Sequence, residues 1–514
     1  MELKIEKASS ATPRYARLKS LVLRGLDARV VDVECSICPG LPSFQIVGLG
    51  DTAILESKER IRSAILNCGF QFPLGRITIN LAPADQKKKG PGLDLAMVCA
   101  LLQADKQIPP SDPNLCLLGE ISLSGQIRGV DQIFALLLSM RKQFPDTRFV
   151  LSHEDRELAS AVPDIEFCSL EHLGEVRSEF QNWHLSSTAK LESKPKGKLG
   201  VFDQILGQVK AKYALALAAS AALNCFFSGP PGSGKTMLAN ALLEILPDLD
   251  LDSALEVSQI YSLDGDRSRE ALSCAPPFRN PHHSCSHLSF VGGGHHLKPG
   301  EVTKAHNGVL LLDELLEFPR SCLENLRQPM SEGSIQISRV QGSVRYPAKF
   351  QCIATTNPCP CGFYTDPFKT CQCSDYAINK YRSKLSAPLL DRFALQVVVQ
   401  RPAQVHNLAA GEDSNLVRKR VLHTRERQQK RNPGAVLNRD LTLENIRDLG
   451  FLNSQLEREV MQKVTTLHLS MRSITQLYQL ALTIMDYQGE NKLNIENFEE
   501  AMLLRFHPCE RWNQ

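Results

Sequence analysis

A glycine-rich segment near the middle of the chain has the residue types and spacing of a phosphate-binding loop. Gly229 is followed by four residues and then by Gly234, Lys235 and Thr236, and the apolar run 225–227 precedes this segment. In such loops glycines let backbone N–H groups converge on phosphate oxygens at a helix N-terminus, while the lysine supplies positive charge and the hydroxyl can ligate Mg²⁺. The residues predicted to bind ATP are Gly229, Pro230, Pro231, Gly232, Ser233, Gly234, Lys235 and Thr236.

A second apolar run, 309–312, ends in the acidic pair Asp313 and Glu314. At the end of a buried strand an aspartate can hold Mg²⁺, and the glutamate beside it can polarise the attacking water. Acids at strand ends are more often simply solvated. Because the glycine loop lies at a suitable separation upstream, we assign Asp313 to the magnesium site and Glu314 to catalysis, and we predict a P-loop ATPase.

The elements around these residues predict an α/β domain that positions them. Strands are expected at 224–228, 309–312 and 350–355, and a helix is expected to begin at Lys235. The segment 334–346 is predicted to be a β-hairpin, because its central glycine tolerates the positive φ that tight turns need.

Further regions flank the domain at 201–400. Residues 20 to about 185 alternate β-branched runs at 28–37, 76–81 and 148–151 with helical patterns at 53–66, 93–102 and 133–141, which predicts another α/β domain. The stretch 186–200 is small, polar and basic, which is typical of a flexible linker. Long helical patterns at 414–431, 456–470, 474–487 and 495–505 predict an all-helical region over 401–514.

The composition is that of an ordinary soluble globular protein and constrains function little. The 514 residues exceed what one hydrophobic core accommodates, and the net charge of +3 gives no bulk electrostatic argument for nucleic acid binding. The chain shows neither a long apolar run nor a signal-peptide core at its start, so a cytoplasmic location is expected. Most of the sixteen cysteines lie in apolar segments and are expected to be buried, reduced thiols.

Several motifs resemble the magnesium-chelatase-like branch of the AAA+ ATPases. They are Pro281-His-His283, the segment from Gly300 to Leu310, and Asn357-Pro-Cys-Pro-Cys-Gly362. Within this branch the chain is similar to the ComM (YifB) family, because the first domain also contains the family's segments at 40–49 and 80–85.

The resemblance implies an α/β fold class with three domains. Residues 1–185 are expected to form a Lon-protease-like domain, 201–400 an AAA+ P-loop domain of the magnesium-chelatase type, and 401–514 a helical lid. The residues between the first two are the linker 186–200.

The resemblance also implies catalytic roles beside Glu314. Asn357 corresponds to the sensor-1 residue that orients the lytic water. Arg392 corresponds to the arginine finger, which reaches the γ-phosphate held by a neighbouring subunit, so a homo-hexameric ring is implied. Arg472 corresponds to the sensor-2 arginine of the lid, although the second arginine usual four positions later is Gln476 here.

The first domain departs from the Lon-type protease pattern at both catalytic positions. Gly92 stands where that family has its serine nucleophile, and Phe134 stands where it has its lysine base. Neither side chain can attack a carbonyl or move a proton, so the chain is not expected to be a protease. The run of three lysines at 87–89 is either a solvated loop or a DNA-contacting patch.

Four cysteines are clustered in the loop after Asn357, at Cys359, Cys361, Cys371 and Cys373. Reduced thiols placed in this way favour Zn²⁺ in a tetrahedral structural site. The spacing departs from the common Cys-x-x-Cys knuckle, which leaves four free thiols as the alternative. We expect a structural ion on which catalysis does not depend.

Six of the thirteen histidines lie in one stretch: His282, His283, His287, His295, His296 and His306. Their spacings fit no recognised ligand set. Hydrogen-bonded loop histidines are therefore expected here rather than a metal site.

In this AAA+ branch two segments project toward the pore of the ring, and here they correspond to 284–298 and 334–346. Lys298, Arg339 and Arg345 are candidates for contacts with a DNA phosphate backbone, and packing alone is the alternative. The resemblance implies a helicase that drives branch migration on single-stranded and branched DNA during homologous recombination in natural transformation, together with recombination proteins. A metal-insertion subunit of the chelatase type and a protein-remodelling chaperone are the alternatives.

Overall fold

The computed structural model describes residues 14–84, 88, 90–177, 180, 183–186, 200–263, 272–294, 297–339, 342–364, 366–401, 412–466 and 469–505. The chain divides into two compact units. The first unit comprises 1–192 together with 258–272, and the second comprises 193–257 together with 273–514.

Within the described residues, the first unit is built on a mixed sheet of eight strands in the order β10-β9-β8-β5-β1-β2-β4-β3, beside a two-stranded ribbon of β6 and β7. The strands are β1 Arg14–Arg24, β2 Asp27–Cys38, β3 Ser43–Val47, β4 Arg76–Ala82, β5 Leu115–Leu117, β6 Glu120–Ile121, β7 Ile127–Arg128, β8 Arg148–Ser152, β9 Glu166–Leu170 and β10 Trp183–Leu185. The helices are α1 Thr52–Asn67, α2 Asp94–Ala104, α3 Ile133–Gln143 and α4 Arg156–Ser160.

The periodicities of the first unit explain its elements. In β2 the residues Val31, Val33, Cys35 and Ile37 are buried in alternation, which is the period of a strand with one face on the core. Helix α2 is buried on all sides, which accounts for its almost wholly apolar sequence. The strands and helices predicted in this region are confirmed.

The two positions that the resemblance aligns with a protease dyad are closely packed. A Cβ atom built on Gly92 would lie 2.9 Å from Val130 Cγ1, so a serine side chain has no room there. Phe134 is fully buried in α3. The expectation of a solvated lysine loop is wrong for Lys88, which is buried and donates from Nζ to Leu81 O at 3.0 Å, while Lys87 and Lys89 lie outside the described residues.

The second unit contains nine strands among its described residues. They are β11 Cys225–Ser228, β12 Phe278–Arg279, β13 Gly292–Gly293, β14 Lys298–Pro299, β15 Val309–Leu312, β16 Ser334–Arg339, β17 Gly342–Pro347, β18 Gln351–Thr356 and β19 Leu395–Val398. Its helices, of which α8 ends in residues of the first unit, are α5 Val201–Gln204, α6 Val209–Ala221, α7 Lys235–Ile245, α8 Leu251–Ser262, α9 His287–Val291, α10 Glu301–Lys304, α11 Arg320–Asn325, α12 Pro329–Glu332, α13 Asp375–Arg382, α14 Ala387–Leu390, α15 Ser414–Arg431, α16 Leu443–Asp448, α17 Ser454–Thr466, α18 Met471–Gln488 and α19 Ile495–Arg505.

The central sheet of this unit is parallel, in the order β12-β15-β18-β11-β19. Strands β11, β15 and β18 are buried along their whole length, as parallel strands covered on both faces usually are. The carboxyl ends of parallel strands meet at one edge of the sheet, which brings together the residues that follow Ser228, Leu312 and Thr356.

The helical region packs onto the end of α6. Arg425 donates to Ala219 O from Nε at 2.9 Å, Gln428 donates to Ser220 O at 3.3 Å, and Arg439 donates to Ala222 O at 2.9 Å. The last carbonyls of a helix are unsatisfied and carry the negative end of its dipole, so the two arginines stabilise this contact. The predicted helices of this region and the predicted hairpin β16–β17 are confirmed.

Candidate nucleotide-binding site

The phosphate loop runs from β11 to α7 and wraps around its own lysine. Lys235 Nζ donates to Gly229 O at 2.7 Å and to Pro230 O at 2.9 Å. Gly232 and Gly234 adopt φ values of 76° and 91°, which are open to glycine but strained for other residues. The loop therefore places a charged ammonium and the start of a helix at one point, as phosphate binding requires.

The protonation of Lys235 is balanced between burial and two acids. Burial lowers the pKa of Lys235 to about 8, and the nearby carboxylates of Asp313 and Glu314 oppose that shift. A lysine with a depressed pKa gains most from an anionic ligand, because phosphate oxygens replace the solvation that burial removed.

Strand β15 ends beside the phosphate loop, so Asp313, the next residue, lies there. Thr236 Oγ1 lies 3.1 Å from both carboxylate oxygens of Asp313, and the Thr355 hydroxyl donates to the same carboxylate. Hydroxyl and carboxylate oxygens at the start of a P-loop helix are the ligands that Mg²⁺ prefers. The donor set therefore fits the predicted magnesium site.

Glu314 extends from the same strand end in a left-handed conformation, with φ 54°. Its backbone N–H donates to Thr355 Oγ1 at 3.2 Å, and its carboxylate is about half exposed, with Oε2 3.6 Å from His283 Nδ1. Such a conformation is uncommon outside glycine and asparagine. It leaves the carboxylate accessible to a water molecule.

Asn357 follows β18 and completes this edge of the sheet. Its Oδ1 accepts a hydrogen bond from Lys235 Nζ at 3.2 Å. The structure thus brings Lys235, Thr236, Asp313, Glu314 and Asn357 together. Residues distant in the chain converge because three parallel strands end side by side.

Arg392 and Arg472 lie together at the opposite edge of the sheet. Arg392 Nε donates to Ser331 Oγ at 3.0 Å and Arg472 Nη2 donates to the same oxygen at 3.3 Å. Asn224, which precedes β11, donates to Arg392 O at 3.0 Å, so the arginines belong to the amino end of the strand whose carboxyl end carries the phosphate loop.

The positive charges of this arginine cluster, formed by Arg392, Arg472 and Arg327, repel one another. The pKa of Arg392 is lowered, first by burial and then by the neighbouring charges of Arg472 and Arg327. Clustered arginines that repel each other form a favourable site for an anion such as phosphate.

Asp391 fixes the loop that carries Arg392. Ser470 and Ser473 at the start of α18 donate to the Asp391 carboxylate, as does the buried Arg505 of α19 from Nη2 at 3.0 Å. Arg505 also donates to the backbone of the same loop at Phe393 O, at 2.8 Å. The helical lid therefore sets the position of the arginine cluster.

Two residues beside the phosphate loop were not anticipated from the sequence. Gln208 Nε2 donates to Gln400 O at 2.6 Å and to Ser233 O at 3.3 Å. Arg401 donates to Pro231 O from Nε at 3.0 Å and from Nη2 at 2.6 Å. The only sequence signal for Arg401 is its place after a strand that pairs with β11.

Comparison with known proteins places this geometry in a family. The chain matches the families Magnesium chelatase, subunit ChlI over residues 201–407, Subunit ChlI of Mg-chelatase over 33–155, and Magnesium chelatase, subunit ChlI C-terminal over 411–505. Competence protein ComM of Haemophilus influenzae is 37% identical over 497 residues, covering 93% of this chain and 95% of that protein. YifB of Escherichia coli K12 is 36% identical over 487 residues, covering 94% and 95%.

The chain belongs to the ComM (YifB) family. It is therefore a magnesium-chelatase-like AAA+ ATPase, and the family implies ATP and Mg²⁺ as ligands. A magnesium-chelatase 67 kDa subunit of Chlorobaculum parvum is more distant, at 27% identity over 161 residues, or 30% of this chain and 23% of that protein. No helix among the described residues is long and apolar enough to cross a membrane.

Four cysteines of this family member converge in the loop that follows Asn357. The Sγ atoms of Cys359, Cys361, Cys371 and Cys373 all lie within 4.8 Å of one another, with pairs at 3.4, 3.5 and 3.6 Å. Tetrahedral Zn²⁺ with Zn–S bonds of about 2.3 Å requires sulfur atoms about 3.8 Å apart. The cluster therefore fits a tetrahedral metal.

Three of the four described histidines of the stretch, His282, His287 and His306, make hydrogen bonds. His306 Nε2 lies 3.1 Å from Glu256 Oε2 and its Nδ1 accepts from Lys349 N at 3.0 Å. His287 Nε2 lies 3.0 Å from Asn325 Nδ2. Among the described residues the cysteines form the one cluster suited to a metal, and His295 and His296 lie outside the described residues.

The hairpin β16–β17 has an apolar and a polar face. Tyr346 and Ile337 are buried on the first, where Tyr346 Oη donates to Leu297 O at 2.7 Å. Arg345 is exposed on the second, donating to Ser334 Oγ at 2.9 Å, and Lys298 on β14 is exposed. The exposed face also carries Gln336, Ser338 and Ser343. The side chain of Arg339 lies outside the described part of the structure.

Proposed function

We propose that the chain forms a ring whose catalytic sites are shared between neighbouring copies. One observation carries the proposal: Arg392 and Arg472 lie at the edge of the sheet opposite to Lys235. The four-residue strand β11 spans about 13 Å between these edges. A γ-phosphate held by the phosphate loop would therefore meet these arginines only from a second copy, and the family resemblance favours six copies in a closed ring.

In this ring, one copy binds and orients ATP. Thr236 and Asp313 would hold Mg²⁺, which when bound neutralises charge on the phosphates. Glu314 would accept a proton from the attacking water, and Asn357 would hold that water in line with the γ-phosphate. Arg392 of the next copy would stabilise the charge that develops on the transferred group.

We further propose that hydrolysis drives translocation on DNA, in the manner of a branch-migration helicase. Arg345 on the polar face of the hairpin, and Lys298 on the ribbon that contacts its apolar face, offer hydrogen-bond donors and positive charge without the shape needed to read bases. The family also contains a competence protein, which points to DNA uptake and recombination in natural transformation. A cytoplasmic site of action is part of this proposal.

ATPase stimulation tests the nature of the substrate. We expect single-stranded and branched DNA to raise the ATPase rate, and we expect Lys235→Ala and Glu314→Gln to abolish three-strand branch migration while DNA binding is retained. Stimulation by a porphyrin complex instead would support a metal-insertion subunit, and stimulation by unfolded protein would support a chaperone. Branch migration without ATP would refute the motor.

Salt dependence tests the DNA contacts. Replacing Arg345 and Lys298 by alanine should reduce the slope of log K against log salt by about 0.7 for each lost contact with single-stranded DNA. Arg447→Ala is the matched control, because Arg447 is an exposed arginine of the helical region, paired with Glu457. An unchanged slope in the first variant assigns the hairpin to packing.

For the first domain we propose a Lon-like fold that serves assembly or substrate guidance rather than proteolysis. The support is the occupied space at Gly92 and the buried Phe134. The division into 1–185, the linker 186–200, 201–400 and 401–514 belongs to the same proposal. ATP-dependent cleavage of an unfolded substrate, abolished in Lys235→Ala, would contradict it.

We propose that Zn²⁺ occupies the cysteine cluster. Thiolates at these separations match its preference for four soft ligands, and reduced thiols are expected in the cytosol. Elemental analysis of protein purified without chelators should give one zinc per chain. A metal content well below that would favour four free thiols.

A further inference from the structure

The loop between β18 and α13 has no regular secondary structure among its described residues, yet it packs against the phosphate loop. Loops of this length usually need another constraint to hold one shape. Here the constraint is the cysteine cluster. Tyr364 N donates to Cys359 Sγ at 3.3 Å and Cys373 N donates to Cys371 Sγ at 3.4 Å, which orients the sulfurs as outer-shell donors do around a bound metal.

The first contact of this loop with the nucleotide site is made by Gly362. It adopts φ 83°, and a Cβ atom built on it would lie 2.7 Å from Pro231 Cδ and 3.8 Å from Asn357 Cγ. Gly362 N also donates to Cys359 O at 2.9 Å, which ties this contact to the cysteines. The backbone of the cysteine loop therefore touches both the phosphate loop and the residue that binds Lys235.

The second contact is made through Arg401. Its guanidinium donates twice to Pro231 O, and its Nε lies 3.5 Å from Oδ2 of Asp366 in the cysteine loop. The Asp366 side chain is fully buried, and its Oδ1 accepts from Phe368 N at 2.8 Å. The same guanidinium lies over the Phe363 ring, 5.6 Å from its centre. Arg401 thus joins the phosphate loop to the cysteine loop.

We propose that the metal held by the four cysteines controls nucleotide affinity, with Arg401 as the positioning residue that links the metal loop to the phosphate loop. Without the metal, the loop loses the constraint that holds Gly362 against Pro231 and Asp366 beside Arg401. The guanidinium of Arg401 is then no longer held in place to donate to the carbonyl of Pro231. The inference rests on the zinc site proposed above and revises the expectation that catalysis is independent of it. The metal itself does not touch the nucleotide.

Titration calorimetry with ADP in the absence of DNA tests this coupling. The full-length protein is measured as purified, after dialysis against a zinc chelator, and after zinc is restored, with metal content and circular dichroism recorded for each sample. We expect metal removal to weaken ADP binding at least about tenfold, within the range of typical coupling free energies, and Zn²⁺ but not Mg²⁺ to restore it.

Paired cysteine and glycine variants locate the effect. Cys371→Ser should lose metal and ADP affinity together, whereas Cys38→Ser, at an exposed cysteine of the first unit, should change neither. Gly362→Ala should weaken ADP binding with metal retained. Gly489→Ala is its control, because Gly489 has a similar φ of 80° with no atom near the added Cβ.

A third pair tests the positioning residue. Arg401→Gln should weaken ADP binding about tenfold while metal content stays at the wild-type value. Arg418→Gln is the control, since Arg418 is also partly exposed and pairs with an aspartate, Asp248, at 3.1 Å.

The outcomes separate this proposal from the others. Unchanged ADP affinity in folded, metal-free protein overturns it, as does Gly362→Ala behaving like Gly489→Ala. If Cys371→Ser does not fold, the Gly362 and Arg401 variants decide in metal-loaded protein. If Lys235→Ala binds ADP normally, the nucleotide site itself is wrongly placed. These measurements contain no DNA, so their results do not depend on whether the proposed DNA translocation is correct.

Discussion

The placement of Arg392 opposite to the phosphate loop predicts that two inactive variants restore each other. Lys235→Ala removes the charge that binds the phosphates, and Arg392→Ala removes an arginine finger, whose loss costs about 10³- to 10⁵-fold in kcat in P-loop ATPases and GTPases. In a ring made of either variant alone, every interface lacks one component. Each pure protein should therefore be inactive.

Mixed rings contain complete interfaces. An interface is intact when an Arg392→Ala copy supplies the phosphate loop and a Lys235→Ala copy supplies the arginine. With equal amounts placed at random in a head-to-tail ring, about one quarter of the interfaces meet this condition. We expect ATPase activity of co-expressed variants to approach a quarter of the wild-type rate per subunit, measured by phosphate release.

The matched control combines Lys235→Ala with Glu314→Gln. Both residues lie at the carboxyl edge of the sheet, so each copy carries a defect in its own nucleotide site and no interface becomes complete. Native mass spectrometry verifies that both mixtures form mixed rings. Recovery in the control, or none in the Arg392 mixture despite mixed rings, would refute a site shared between copies.

Three further predictions concern protonation, the first domain and the lid. Burial lowers the pKa of Lys235 to about 8, and phosphates bind its charged form. The Kd for ADP, measured by fluorescence titration, should therefore be flat below that pH and rise by up to about tenfold per pH unit above it. A Kd that does not change with pH would contradict this. Gly92→Ser should create no peptidase activity in a casein assay and should lower stability by about 1–3 kcal/mol by overpacking against Val130, and any peptide cleavage would contradict the packing argument. Asp486 is fully buried beside Arg431, with Oδ2 2.9 Å from Nη2, so Asp486→Ala should cost about 3–5 kcal/mol in chemical denaturation, and an effect near zero would contradict a buried pair.

Local signals in the sequence were sufficient for the nucleotide-binding half of the site. The spacing of Gly229, Lys235 and Thr236, and the apolar strand that ends in Asp313, are properties of short segments. Periodicity likewise predicted β15, α15 and α19 with correct bounds. These features depend only on residues that are close together in the sequence, so they can be predicted without knowledge of the fold.

Contacts between distant segments were decided only by the tertiary structure. Arg392 and Arg472 share Ser331 Oγ because the lid docks at the amino edge of the sheet, and no motif encodes that edge. Lys88 lies in a run of lysines that predicts a solvated loop, yet the fold buries it against Leu81 O.

The cysteine loop shows the same division. The sequence by itself determined the four thiols and their fitness for a metal. Only the fold determined that this loop faces Pro231, because the pairing of β11 with β18 and β19 brings the loop and Arg401 to one strand edge. The capacity of the four thiols to bind a metal follows from their residue type and short spacing. The contact of their loop with the phosphate loop depends instead on how the parallel strands are ordered in the sheet.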